Sequence, residues 1–163
     1  MRDMIYVIAL GSNRRHVRHG NPRALIEEAL RRLPGTLLLR SDTICTRPLG
    51  PSNRTYANAA AVIKSSLMPP ALLAGLQGIE RDLGRVRSGQ AWRARTMDLD
   101  IIFWSEGVWA TPPLTIPHKE FRARAFVLTP LSTIVPEWRD PGCGRSVKQL
   151  HARLLKPKHK SCP

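Results

Sequence analysis

Acidic side chains are scarce in this chain: 12 Asp and Glu stand against 26 Lys and Arg, a formal net charge of +14, and 20 of the basic residues are arginine. The planar fork of arginine suits phosphate, so the excess points either to a polyanion, nucleic acid or a nucleotide polyphosphate, or to a solvated basic surface with no such partner, and only position separates these readings. Cysteine is also sparse. Cys45, Cys143 and Cys162 are far apart and odd in number, with no C-x-x-C pair. That spacing argues against a zinc ribbon, a thioredoxin-type redox motif or a disulfide framework, and the expected compartment is a reducing one. Long apolar runs are missing too. The run from Met4 to Leu10 holds seven residues, too short for a spanning helix of about 20 residues or for a secretory leader, and the chain is expected in the cytoplasm with no membrane partner. Neither G-x-x-x-x-G-K-[ST] nor a G-x-G-x-x-G after a strand occurs, so a nucleotide site has to be built some other way.

What is present reads as one domain over residues 1–163 with a basic tail from about Lys156. A chain of this length buries roughly 70% of its unfolded surface without staples. Met4 to Leu10 predicts a buried strand closed by Gly11-Ser12-Asn13. Asn21 and Pro22 predict a helix start, with Leu25, Ala29, Leu30 and Leu33 at helical spacing and Pro34-Gly35 as the stop. Thr36 to Thr46 and Tyr56 to Lys64 read as strands separated by the proline loop Pro48-Leu49-Gly50-Pro51. Pro69-Pro70 opens a second helix, whose Leu72, Leu73, Leu76, Ile79 and Leu83 form one apolar face. A basic loop with Arg85, Arg87, Arg93 and Arg95 leads into a strand from Asp98 to Trp104. Helices are expected over Glu120 to Ile134 and in the tail from Lys148. The order β-α-β-β-α-β predicts an α+β fold, a ferredoxin-like sandwich with both helices on one face of an antiparallel sheet and extra C-terminal helices.

Asp98 and Asp100 sit at i and i+2 of a strand and so project from one face, with Met97, Leu99, Ile101 and Phe103 expected on the other. Two adjacent carboxylates are the minimum that Mg²⁺ takes from a protein when phosphates and water complete its octahedron. Arg95, Arg93, Arg87 and Arg85 lie just upstream, where cations would meet the same phosphates. A rival reading is an RNA-binding module that tracks phosphates with arginine. It leaves the two carboxylates unexplained, and no cluster of aromatics lies on one strand.

The residues resemble a known family. Ile8-Ala9-Leu10-Gly11-Ser12-Asn13, Pro48-Leu49-Gly50-Pro51, Tyr56-Ala57-Asn58-Ala59-Ala60, Gln77-Gly78-Ile79-Glu80, Gly84-Arg85-Val86-Arg87, Trp92-Arg93-Ala94-Arg95-Thr96-Met97-Asp98-Leu99-Asp100, Leu114-Thr115-Ile116-Pro117-His118 and Arg124-Ala125-Phe126 are similar, in this order, to the 6-hydroxymethyl-7,8-dihydropterin pyrophosphokinases. The likeness runs over roughly residues 5–131. It implies a ferredoxin-like, monomeric transferase of folate biosynthesis, which moves diphosphate from Mg·ATP to the hydroxymethyl-dihydropterin and releases AMP, with no nucleic-acid partner.

The resemblance also implies roles. Asp98 and Asp100 would hold two Mg²⁺ ions, and Arg85 and Arg95 would close over the triphosphate as catalytic residues. ATP binding would draw on Gln77, Glu80, Arg85, Trp92, Arg95, Ile101, Thr115, His118 and Arg124, with Leu73 beside the adenine. The pterin would lie between Tyr56 and Phe126, its polar edge read by Asn58 and by backbone around Thr46, Pro48 and Leu49, with Trp92 covering it. Asp100 either ligates metal or orients the attacking hydroxyl. Lys119 stands where the family commonly has tyrosine, and Pro113 where some members have arginine.

Overall fold

The run from Met4 to Ser12 forms the central strand, β1, because neither of its faces meets water over most of its length. The computed structural model describes residues 2–16, 18–46, 55–84 and 97–157. After β1 come α1 (Pro22–Arg32), β2 (Thr36–Arg40), β3 (Ile44–Thr46), β4 (Tyr56–Ser65), α2 (Pro69–Asp82) and β5 (Asp98–Trp104). A short hairpin, β6 (Trp109–Thr111) and β7 (Leu114–Ile116), is followed by a single 3-10 turn at Phe121–Ala123, then α3 (Ala125–Ile134) and α4 (Val147–Leu155). Local chemistry sets the helix starts. The Asn21 Oδ1 accepts from the Ala24 N–H at 2.9 Å, and Ser146 and Gln149 form a reciprocal capping box at the head of α4, each satisfying amides that a helix start leaves open.

The main sheet has the order β2-β4-β1-β5, with β3 also on β4, and every pairing is antiparallel. This is the ferredoxin-like α+β arrangement. Tyr6, Ile8 and Leu10 of β1 pack with α1 and α2, while Val7 and Ala9 face α3 and α4. The C-terminal helices are therefore not appendages: they bury the second face, and the fold has three layers. The expected strand from Thr36 to Thr46 is broken at Ser41. There the Ser41 Oγ accepts the Ala60 N–H at 2.9 Å in place of a backbone carbonyl, and the ladder resumes only at Ile44.

Gly35 marks the sharp entry to β2. A Cβ built on it would stand 2.5 Å from the backbone oxygen of Lys64, and backbone cannot retreat as a side-chain tip can. Gly35→Ala is expected to destabilise the fold by about 1–3 kcal/mol, the usual cost of overpacking. Gly78→Ala, whose Cβ would find nothing nearer than the Arg81 guanidinium at 3.7 Å in mid-helix, is expected to leave stability unchanged or raise it by up to ~1 kcal/mol. Thermal unfolding of the two variants side by side checks both.

Strand β5 holds the feature that shapes the site. Val7 pairs with Phe103 but Ile8 with Ile101, so Ile102 is an extra residue, a β-bulge. Before the bulge, Leu99 and Ile101 face α2, leaving Asp98 and Asp100 on the α3 face. After it, Phe103 has moved to the α3 face and packs edge-on against Phe121 at 5.0 Å. Simple alternation would have placed Phe103 with Leu99 and Ile101, and the inserted residue is why it does not.

Candidate active site

Asp98 and Asp100 are both partly accessible and share the α3 face at the open end of β5. They belong to a cleft of about 430 Å³ that also includes Leu73, Gln77, Leu99, Ile101, Pro113, Leu114, Thr115, His118, Lys119, Glu120 and Arg124. One cavity thus gathers helix α2, strand β5, the β6–β7 hairpin and the segment leading to α3. Eight of the residues given roles from the sequence meet here: Leu73, Gln77, Asp98, Asp100, Ile101, Thr115, His118 and Arg124.

Each is held for a local reason. The His118 backbone N–H donates to the carbonyl of Ile102 at 3.3 Å, so the bulged residue anchors the histidine. The His118 Nδ1 accepts from the Glu120 N–H at 3.3 Å, which puts the ring proton on Nε2. That Nε2–H faces the Asp100 Oδ2 at 3.7 Å, and the Arg124 Nη1 stands 3.8 Å from the same oxygen. Arg124 is also paired with Glu120 across the 3-10 turn Phe121–Ala123. The cleft therefore alternates sign: two carboxylates on the sheet, then an imidazole N–H and cations on the wall. Such a pattern suits a divalent ion on one side of a polyphosphate and hydrogen-bond donors on the other.

Glu80 is placed differently from its sequence reading as a nucleotide-pocket residue. It is 2% exposed, is not among the residues of the cleft, and its Oε1 accepts the Leu99 N–H at 2.8 Å. Three residues along a helix is a turn of about 60° off register, enough to aim Gln77 into the cleft and Glu80 at the strand. Glu80 thereby fixes the residue between the two aspartates. Sequence reasoning missed Glu120 as a cleft residue, although its i, i+4 spacing to Arg124 was a legible signal.

The residues assigned to the pterin lie on the same sheet face. Asn58 of β4 pairs with Gly11 of β1, Gly11 pairs with Asp98 of β5, and Tyr56 pairs with Thr46 of β3. Directly paired residues share a face, so Asn58, Gly11 and Asp98 form a row, with Asn58 about 10 Å from Asp98 at two strand spacings. Tyr56 and Phe126 are 39% and 51% exposed, and the Phe126 ring lies 5.8 Å from the Arg124 guanidinium carbon. Pro48, Leu49, Arg85, Trp92 and Arg95 lie outside the described residues.

Among the described residues no group of three or more His, Cys, Asp or Glu could hold a metal ion, so any ion at Asp98 and Asp100 has to complete its shell from elsewhere. Two half-buried carboxylates beside a donor-lined cleft fit Mg²⁺ on those terms, because Mg²⁺ keeps waters and takes phosphate oxygens readily.

Known proteins place the chain. The profile of the 7,8-dihydro-6-hydroxymethylpterin-pyrophosphokinase (HPPK) family matches residues 7–136. A Pseudomonas aeruginosa protein is 41% identical over 154 residues, covering 93% of this chain and 92% of its own. A Synechocystis protein is 39% identical over 145 residues, 88% of this chain and 73% of its own. Both carry the name 2-amino-4-hydroxy-6-hydroxymethyldihydropteridine pyrophosphokinase. Among solved structures, wild-type Plasmodium falciparum HPPK-DHPS with pteroate superposes with a TM-score of 0.70 at 15% identity, over 93% of this chain and 42% of that longer one. That likeness is one of fold, and this chain spans less than half of the Plasmodium protein. Three quarters or more of the sequence follows the family pattern, and the chain belongs to the 7,8-dihydro-6-hydroxymethylpterin-pyrophosphokinase family.

Proposed function

We propose that this chain transfers the diphosphoryl group of Mg·ATP to the hydroxymethyl oxygen of 6-hydroxymethyl-7,8-dihydropterin, a step of folate biosynthesis. The observation that carries the reading is the row Asn58, Gly11, Asp98 on one face of three adjacent strands. It sets an amide that can read a pterin edge opposite a carboxylate pair, at a spacing a pterin bicycle with its hydroxymethyl arm spans.

Gln77, Thr115, Leu73 and Ile101 would receive the nucleoside, with the triphosphate running toward β5. Asp98 and Asp100 would hold two Mg²⁺ ions, whose charge would offset that developing around the β-phosphorus. The His118 Nε2–H and Arg124 would donate to phosphate oxygens, and Lys119, exposed at the mouth of the cleft, adds a third donor. Tyr56 and Phe126 would stack on the two faces of the pterin, each contact worth about 0.5–1.5 kcal/mol beyond burial. The Asn58 amide offers both a donor and an acceptor to the ring edge, beside backbone at Thr46. By resemblance, Pro48 and Leu49 complete the pterin contacts, and Arg85, Arg95 and Trp92 close over both substrates. Glu80 acts through β5.

In the reaction the hydroxymethyl oxygen attacks the β-phosphorus in line, the bond between that phosphorus and the bridging oxygen to the α-phosphorus breaks, and AMP leaves with the oxygen. The hydroxyl proton passes to Asp100 or to water. Positioning and electrostatics dominate such transfers. The proposed enzyme is a monomer working in the cytoplasm.

The test is incubation of the protein with Mg·ATP and the hydroxymethyl-dihydropterin, separating nucleotides and pterins. AMP and a pterin diphosphate in equal amounts are expected. ADP in place of AMP would reject diphosphoryl transfer, and Mg²⁺-independent, salt-sensitive RNA binding with no turnover would favour a nucleic-acid role.

A further inference from the structure

We infer that Gly11 is a positioning residue for the pterin half of the site: the hydrogen in place of a side chain keeps the floor between Asn58 and Asp98 clear and lets the Asn58 amide lie flat on β1. This rests on the proposed reading that the pterin edge is recognised at Asn58. Gly11 is the middle member of the row, paired with Asn58 on one side and Asp98 on the other. All three are partly accessible, whereas one row further in, Ala60 and Ala9 are buried beneath α3 and α4. The open end of the sheet therefore begins at Gly11.

The contact is specific. A Cβ on Gly11 would stand 3.2 Å from the Asn58 Oδ1, inside a comfortable carbon–oxygen contact, so the amide would have to shift by a few tenths of an ångström. The acceptor end of Asn58 is the atom nearest the intruding methyl. No turn demands glycine here: Gly11 is the eighth residue of a nine-residue strand, and it is not among the glycines with positive φ. The strand conformation is open to any L-residue, and alanine in a strand interior is generally no worse than glycine for stability. What glycine supplies at this position is space on the α3 face.

The test is a double-mutant cycle of Gly11→Ala and Asn58→Ala. Affinity for the hydroxymethyl-dihydropterin and for a non-hydrolysable ATP analogue is measured separately, alongside KM, kcat and Tm. Gly11→Ala is expected to raise the pterin Kd and KM about tenfold, since misplacements well under 1 Å at a recognition contact carry such costs. The ATP-analogue Kd and Tm stay within twofold and about 2 °C of the parent. In the Asn58→Ala background the same glycine change is expected to cost less than threefold, because the atom it displaces is gone. Gly11→Val should behave as Gly11→Ala with a larger pterin loss. Unchanged pterin affinity in Gly11→Ala, with Asn58→Ala weakened, overturns the inference. Full additivity in the cycle, or equal loss of ATP and pterin affinity, also overturns it, since either would mark Gly11 as generally structural. Unchanged pterin affinity in Asn58→Ala itself instead refutes the placement of the pterin on which the inference stands.

Discussion

Asp98→Ala and Asp100→Ala are each expected to lower kcat by about 10³-fold or more, with folding intact, because on the proposed reading each removes a preorganised charge aimed at the transferring group. Both side chains are partly accessible on a strand whose opposite face, Leu99 and Ile101, carries the packing. Truncation therefore leaves no buried hole, and Tm is expected to stay close to that of the parent. The two positions differ in their surroundings. Asp100 lies within 3.8 Å of both the His118 Nε2 and the Arg124 Nη1, so losing it also removes the carboxylate that those two donors face. A Mg²⁺ titration separates the contributions: Asp98→Asn, which keeps the shape and loses the charge, should need a higher Mg²⁺ concentration for half-maximal activity. Turnover within tenfold of the parent for both alanine variants would remove the carboxylate pair from the mechanism.

The second large effect is on stability. The Asp140 side chain is fully buried and accepts from the Arg122 Nε at 2.5 Å, the Arg122 Nη2 at 2.7 Å, the Gly142 N–H at 2.9 Å and the Cys143 thiol at 3.0 Å. Arg122→Leu strands that carboxylate without its charged partner and is expected to cost about 3 kcal/mol, a fall in Tm of about 10 °C for a chain of this size. The cost lies with Asp140 rather than with Arg122, whose side chain is 39% exposed and so gains little from the ion pair through water. The pH dependence follows. Burial raises the Asp140 pKa, but the bonds from Arg122, Cys143 and Gly142 outweigh it and hold the carboxyl below its usual value. A depressed folded-state value stabilises above the unfolded value of about 3.9 and loses that contribution as pH falls through the folded one. The Tm gap between parent and Arg122→Leu should accordingly be widest near neutrality and narrow below about pH 4. A gap of under 1 kcal/mol at pH 7 would mean the loop around Asp140 relaxes to admit water.

How far the sequence could be read is decided by range. β1, β4, α1 and α2 were legible because their signals, an apolar run, alternation, a cap and a helical stripe, lie within a dozen residues. The break at Ser41 was not, since it depends on a side-chain oxygen meeting the amide of Ala60, nineteen residues away. The hairpin Trp109–Ile116 is not legible, because three-residue strands around Pro112-Pro113 carry too little pattern. The expected helix from Glu120 begins only at Ala125, after a 3-10 turn and an extended Arg124. Of the site, the Asp98 and Asp100 pair and His118 stood out as residue types in a recognisable order. Glu80 could not be told from Gln77 by spacing alone, and the importance of Gly11 needs the register of three strands. Phe103 fell on the unexpected face for the same reason: a bulge is a property of pairing, invisible in one strand by itself.

That single inserted residue makes β5 a strand of two independent halves. Upstream of Ile102 the α3 face carries the accessible Asp98 and Asp100, with Leu99 and Ile101 packed behind them; downstream, the same face is interior, as with Phe103 against Phe121. Shortening the strand by one would turn the downstream half over and release the carbonyl that holds His118, so the residue count of β5 matters for a reason that composition does not express.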